Sequence, residues 1–468
     1  MGRPAKMKPA QAEKIIKQQP EVPKAPAGAT EAERLTYPRG LLGYATQYVW
    51  DTAQLPDRWL SLTAALAALA KGTDRRVLGP EDCSTILWIM LVAETGAGKQ
   101  HGVNCIRMLL RAMGIEQSYA AGRLGSVQGI EEILEGTTTI AGNESPLVVI
   151  DEVGAWLKRI SSKGQSGNVS EIPALLQSLW GWSPEAPWVG SKTKGKEMTV
   201  VEGPAFSIYG VSTEKKLVGA LTVEQIDNGF VNRFLFFNVG RGAPRPVDPR
   251  YRFTQMPGWL EAALKAKADW EAVGPIGKEG IIYRRVYGEV KVVKGFQRIG
   301  WATGVKELWI EWVTEIRGMP STDDRALWIR APENALRLAT VEAYYRGVDV
   351  VDIEGWRWAR AVVELGMRQL VKALRQNMSE DLAAADLADA IRAEFQKEKH
   401  QVAVVGPLGG AQLAGQLTYG AIRKLLERKT GDFRKIDQAI GHLITTGEII
   451  EVEYRGPGRP TKKWQWQG

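Results

Sequence analysis

The sequence predicts an α/β fold built on a mainly parallel sheet, and three observations predict it. Four runs, at residues 86–92, 147–150, 205–211 and 234–239, are apolar without alternation, as strands covered on both faces are. Helical periodicity fills the stretches between them, which places strands and helices in alternation. A glycine-rich turn joins the first run to the helical stretch that follows it.

Taken in order, residues 1–35 are rich in Lys, Ala, Pro, Gln and Glu and predict a disordered tail, with order beginning at Tyr37-Pro38. Residues 41–50 and 60–70 read as helices and make 36–80 a helical segment ahead of the core at 81–240. Residues 101–113 are helical. The stretch 241–325 mixes turns with short helical and strand-like pieces and stays unassigned. Long helices return across 325–375, in a helical segment set at 326–378. The last part, 380–468, is helical at 381–396. It continues with a helical pair at 418–429 and 432–446, and then a hairpin from 448–454 and 462–466. Helices followed by such a hairpin predict a C-terminal winged-helix module.

Composition narrows the class. Apolar residues make up 44% and charged residues 24% of the 468, which excludes a collagen-like or wholly disordered chain. No apolar run approaches the ~18 residues of a membrane span, and the N-terminus lacks the apolar core of a secretory signal. Cys83 and Cys105 are the two cysteines, and the three histidines are scattered. Neither a disulfide framework nor a four-ligand zinc site is expected, and the protein reads as reduced and cytoplasmic. A net charge of +8 permits a polyanionic partner without requiring one. The seventeen tryptophans read as core and interface packing.

The chemistry concentrates in four places. Ala93-Glu-Thr-Gly-Ala-Gly-Lys99-Gln100 lies between a buried strand and a helix, where successive N–H groups bind phosphate oxygens. This is a P-loop pattern. Thr95, Gly96, Ala97, Gly98, Lys99, Gln100 and His101 would surround the phosphates of ATP, with Lys99 reaching the β- and γ-phosphates. Gln100 stands where a hydroxyl normally ligates Mg²⁺, and its amide oxygen is the available substitute. Second, the run at 147–150 ends in Asp151-Glu152. Asp151 would orient Mg²⁺ and Glu152 would polarise the attacking water. Third, Ser212-Thr213 ends the third run. Thr213 reads equally as a γ-phosphate sensor and as a strand-end cap. Fourth, Gly229-Phe-Val-Asn-Arg233-Phe234 leads into the last run. An arginine at a subunit edge can reach a neighbour's ATP, an effect worth roughly 10³–10⁵ in rate; otherwise Arg233 is a salt-bridged surface residue.

The C-terminal module is basic around its helical pair and its turn. Arg434 and Lys435 open the second helix, and Arg459, Lys462 and Lys463 mark the wing. Winged helices lay a helix in the major groove and a wing on the backbone, although many mediate only protein contacts.

Residues 37–375 resemble a phage and plasmid family of replication-associated P-loop ATPases long described as a domain of unknown function. The landmarks are Tyr-Pro-Arg-Gly-Leu-Leu-Gly43, Thr-Gly-Ala-Gly-Lys99, Gly-Ser-Val-Gln-Gly129, Asp151-Glu152, Gly-Val-Ser-Thr213, Gly-Phe-Val-Asn-Arg-Phe234 and Trp-Ile-Arg-Ala-Pro-Glu-Asn334. An acidic or amide residue after the lysine is familiar in that family. More distantly, the chain is similar to AAA+ helicases of the minichromosome-maintenance type. That resemblance implies an AAA+ core with a helical lid. It also implies a hairpin at 190–201 whose Lys192, Lys194 and Lys196 would grip the DNA backbone in a ring's pore; the alternative is a solvated basic turn. In the lid, Arg330 or Arg337 would sense ATP, or would instead form a lid–core salt bridge with Glu333 or Glu342. The function implied is an ATP-driven replicative helicase, a homo-oligomeric and expectedly hexameric ring on single-stranded or forked DNA. It would work in the host cytoplasm, with any primase or polymerase supplied separately. The alternatives are a non-translocating initiator or helicase loader, and a degenerate ATPase that holds nucleotide structurally.

Overall fold

The computed structural model describes residues 21–74, 76–121, 124–139, 146–161, 167–182, 187–190, 200–221, 225–226, 228–239, 246–268, 281–286, 289–294, 296–320, 323–395, 401–405, 411–426, 433–445, 449–454 and 461–466. The chain divides into two compact units, the first ending at Val371 and the second beginning at Lys372.

The first unit is built on β1 (Trp88–Val92), β2 (Tyr119–Ala121), β3 (Leu147–Asp151), β4 (Ser207–Ser212) and β5 (Phe234–Asn238). They form one sheet, all parallel, in the order β2-β3-β4-β1-β5. Every residue of β1 and β4 is buried, the continuous apolar character that a sheet covered on both faces requires. The four expected runs supply four of these strands. Edge strand β2 was not expected, because Tyr-Ala-Ala has neither the length nor the apolar content of a buried run.

Helices α1 (Gly40–Asp51), α2 (Arg58–Thr73) and α3 (Lys99–Ala112) pack on one another, and α2 also lies against β1, β4 and β5. Ala and Leu make α2 a strong helix former, and the Asp57 carboxylate accepts from the Leu60 N–H at its start. Further along come α4 (Val153–Ile160) after β3, α5 (Ile172–Gly181), and α6 (Glu214–Val218) after β4.

The stretch 241–325 is bound into this unit. The Val247 and Arg250 N–H groups donate to the Gln54 and Asp51 carbonyls, and α7 (Gly258–Ala268) packs on α1 and α3. Gln297–Arg298 pairs in parallel with Val77–Leu78, and Gly300–Trp301 with Val350–Val351. Two-residue pairings leave no periodicity in the sequence, which is why this stretch could not be assigned.

Helix α8 (Ala331–Arg346) is buried along almost all its length and ends at Gly347. Arg39 pairs with Glu342 and Asp352, both at 2.8 Å, so the Tyr-Pro-Arg landmark is tied to this helix and its successor. The expected disordered tail overlaps a described helix, Glu31–Arg34, which Thr30 and Glu33 cap reciprocally. The Trp358 indole N–H donates to the Leu35 carbonyl at 2.8 Å.

Helix α9 (Ile353–Phe395) is continuous where two helices were expected, since no Pro or Gly interrupts residues 375–381. In the second unit β6 (Gln401–Val405), β7 (Ala411–Thr418), β8 (Ile449–Tyr454) and β9 (Thr461–Trp466) form an antiparallel sheet in the order β6-β7-β9-β8. Helices α10 (Tyr419–Leu426) and α11 (Phe433–Thr445) pack there on Ile391, Phe395, Leu417 and Trp464. The expected helical pair and terminal hairpin are present; β6 and β7 are additional. No described helix is long and apolar enough to cross a membrane.

Candidate functional site

In a parallel sheet every strand delivers its C-terminal end to the same edge. The register sets Val92 opposite Ser212 and Asn238, and Asp151 opposite Val211. The segments after β1, β3 and β4 therefore begin side by side, at the edge where open α/β sheets bind ligands.

After β1 the chain turns through Glu94 to Gly98 into α3. Gly96 (φ +85°) and Gly98 (φ +80°) both take left-handed conformations that cost an L-residue about 1–2 kcal/mol. A Cβ on Gly96 would meet nothing within 4 Å, so the loop is open above it. No side chain caps α3, and its first N–H groups face the loop. The Lys99 ammonium donates to the Ala93 carbonyl at 3.2 Å, which folds it back across the loop. Thr95 and Gln100 are exposed, and Ala97 is buried beneath the loop. The Gln100 amide nitrogen donates to Asn104 at 3.3 Å, and its oxygen is the end left for other ligands.

His101 does not join this group through its side chain. Its Nε2 lies 3.0 Å from the Val49 carbonyl, 3.2 Å from Thr52 Oγ1 and 3.3 Å from Cys105 Sγ, and its ring stands edge-on to Phe253. Burial pulls its pKa below the ordinary value, so at neutral pH the ring brings no charge. Its side chain packs between α1 and α3.

Asp151 is exposed at the end of β3 and accepts from the Glu152 N–H at 3.1 Å. Glu152 has φ +56°, a strained value for a residue with a Cβ, and its carboxylate pairs with Lys216 on α6 at 2.9 Å. Thr213 begins α6 and makes no side-chain cap hydrogen bond. Asp151 and Gln100 offer hard oxygen donors of the kind Mg²⁺ takes. Among the described residues no group of three or more His, Cys, Asp or Glu could hold a metal by itself.

Arg233 lies at the other edge. It precedes β5, and Phe234 faces Trp88 at the start of β1. Five strand residues at ~3.3 Å each put about 16 Å between this edge and the loop. Arg233 Nη1 donates to the Gly229 carbonyl, while its Nε is buried and has no partner among the described residues. Burial, then the charges of Arg330 and Arg337, pull its pKa down to about 10.

The structure separates Arg330 from Arg337. Arg337 is 2% exposed and donates to Ser84 Oγ (2.6 Å), the Ile86 carbonyl (3.1 Å) and the Trp180 carbonyl (3.2 Å), and pairs with Glu333 at 2.9 Å. It ties α8 to the start of β1 and to the end of α5. Arg330, half-exposed at the start of α8, pairs with the other Glu333 oxygen at 2.9 Å. Sequence reasoning missed Trp180, over whose ring all three arginines stand, and Lys216. The partner of Lys216 lies 64 residues away in sequence, and nothing distinguished Trp180 from sixteen other tryptophans.

Of the residues expected to contact nucleic acid, Lys192, Lys194, Lys196 and Arg459 lie outside the described residues. The segments flanking the first three, Pro187–Val189 and Val200–Glu202, pair antiparallel as the arms of a hairpin would. Arg434 and Lys435 fall on α11 and Lys462 on β9; Lys463 is half-buried on β9 opposite Val452. Neither protein-family models nor curated proteins give a match to this sequence.

Proposed function

We propose that the protein is an ATP hydrolase of the P-loop class, acting as a DNA helicase of the AAA+ type in which each nucleotide is shared between two copies of the chain. One observation carries this reading. A glycine-bent loop with Lys99 at a helix start and the Asp151-Glu152 pair emerge on one edge of a single parallel sheet, with only β4 between them.

In this reading the loop amides and Lys99 bind the phosphates, and Asp151 with Gln100 would hold Mg²⁺. The metal supplies charge neutralisation on the phosphates. Glu152 orients and polarises the attacking water, and Thr213 reaches toward the same position. Arg233, about 16 Å away at the amino edge, is out of reach of its own loop. It serves a neighbour's nucleotide instead, and Arg330 accompanies it.

The hairpin with Lys192, Lys194 and Lys196 then contacts single-stranded DNA through its phosphates, and the second unit acts as a winged helix through Arg434, Lys435, Arg459, Lys462 and Lys463. A heterologous interface of this sort closes into a ring, six-membered by resemblance. ATP hydrolysis by the purified chain should fall sharply with Lys99→Ala and with Glu152→Gln, and the parent should separate a forked duplex. Hydrolysis stimulated by single-stranded DNA without strand separation would instead make the protein an initiator or loader. Turnover untouched by both substitutions would remove the site assignment.

A further inference from the structure

Trp180, near the end of α5, is 1% exposed, and three guanidinium groups stand over its ring. Arg337 lies 3.8 Å from the ring centroid, Arg233 5.4 Å and Arg330 5.7 Å. Glu333 bonds two of them, Arg330 and Arg337. Three cations around one carboxylate repel one another, and more strongly where water is excluded. An indole face offsets that repulsion, because its quadrupole attracts a cation best among the aromatic rings. The ring cannot swing away: Trp88 packs against it at 6.4 Å, and Arg337 is fastened to both its carbonyl and the core.

We propose that Trp180 is a positioning residue whose buried indole holds Arg233 and Arg330 side by side, as a pair of cations aimed at a terminal phosphate presented by a second copy of the chain. The proposal rests on the shared-nucleotide reading above. Arg337 serves as the fixed counterpart of the stack, and Glu333 keeps Arg330 from rotating out into solvent. The pair carries a surplus of donors over acceptors, as a site awaiting a phosphate does.

The test uses two inactive full-length chains, Lys99→Ala and Arg233→Ala, whose equimolar mixture should regain ATP hydrolysis at interfaces that join an intact loop to an intact arginine. Trp180→Leu keeps a buried apolar side chain and removes the π face. Placed in the Lys99→Ala chain, which donates the arginine, it should lower kcat of the mixture about thirtyfold with KM for ATP little changed, the size of a desolvated cation–π contact. Placed in the Arg233→Ala chain, it should cost nothing further, and Trp180→Phe in the donating chain should restore most of the loss. Equal losses in both chains, or none in either, overturn the proposal. A parent mixture that regains no activity overturns the shared-nucleotide reading, and this one with it. If the leucine chain does not fold, Trp180→Met takes its place in the same pairings.

Discussion

Arg233 and Lys99 sit at opposite ends of two hydrogen-bonded parallel strands. Phe234 is level with Trp88 and Asn238 with Val92, so the arginine enters one strand where the other begins, and the lysine follows where that strand ends. A side chain cannot span the distance, so in the proposed mechanism it is a second molecule that brings the two groups together. Arg233→Ala should therefore bind ATP with parental affinity while hydrolysis falls at least 10³-fold, the usual worth of such an arginine. Titrated into parental protein, it should depress turnover by more than its mole fraction. Strict proportionality, read in the same hydrolysis assay, would mean that each chain works alone.

The separation of Arg330 from Arg337 predicts opposite phenotypes. Arg337 joins Ser84, Ile86, Trp180 and Glu333 in the interior. Arg337→Ala leaves the Ser84, Ile86 and Trp180 acceptors without their donor, reduces Glu333 to one partner and removes the nearest cation from the Trp180 ring, at a cost of about 3 kcal/mol. Arg330 is more exposed, and Arg330→Ala should shift the unfolding midpoint little while reducing hydrolysis. Urea unfolding beside turnover measurements checks the division. A destabilised Arg330→Ala, or an intact Arg337→Ala, would reverse the assignment.

How much of this was legible follows from what each feature is made of. The strands of the sheet that bear the site were readable because burial on both faces leaves an unbroken apolar run, and the loop because only glycine takes its left-handed turns cheaply. Strand order was not readable, yet it decides that only β4 separates the loop after β1 from the Asp151-Glu152 pair. Arg330 and Arg337 could not be told apart, because the carbonyls that fix Arg337 come from residues 86 and 180, far away in sequence. His101 looked like part of the phosphate loop by position; the direction of its ring depends on α1 and on Phe253, which no local pattern reveals.

Acid sensitivity of the first unit follows from two carboxylates. Burial tends to raise Glu333, but Arg337 and Arg330 outweigh it and hold the group below its ordinary value. Asp352 is likewise held low, with burial opposed by Arg39 and Arg346. A carboxyl whose folded pKa lies below its unfolded pKa binds fewer protons when folded. The stability it contributes is complete above the unfolded value and lost as pH falls through the folded one. Unfolding free energy should thus decline below the ordinary carboxylate range, near pH 4. Glu333→Gln should flatten that decline while lowering stability at neutral pH, as parallel urea titrations would record. An unchanged acid slope in the variant would remove Glu333 from the account.

The pairing of Glu152 with Lys216 predicts a restrained basal rate. Both side chains are substantially exposed, at 40% and 59%, so the ion pair adds little to folding. Lys216→Ala should leave the unfolding midpoint nearly where it was. Its chemical consequence is different, because the carboxylate read as the water-polarising group is the one that Lys216 occupies, and the left-handed backbone at Glu152 fixes where that carboxylate starts. Freed of the ammonium, Glu152 can accept from water in the absence of DNA. Hydrolysis without DNA should rise several-fold, and the stimulation by single-stranded DNA should shrink by a similar factor. Lys216→Arg, which keeps the charge, should behave like the parent. A fall in both rates with Lys216→Ala would show that the lysine holds Glu152 in its working position, and the restraint would have to be abandoned.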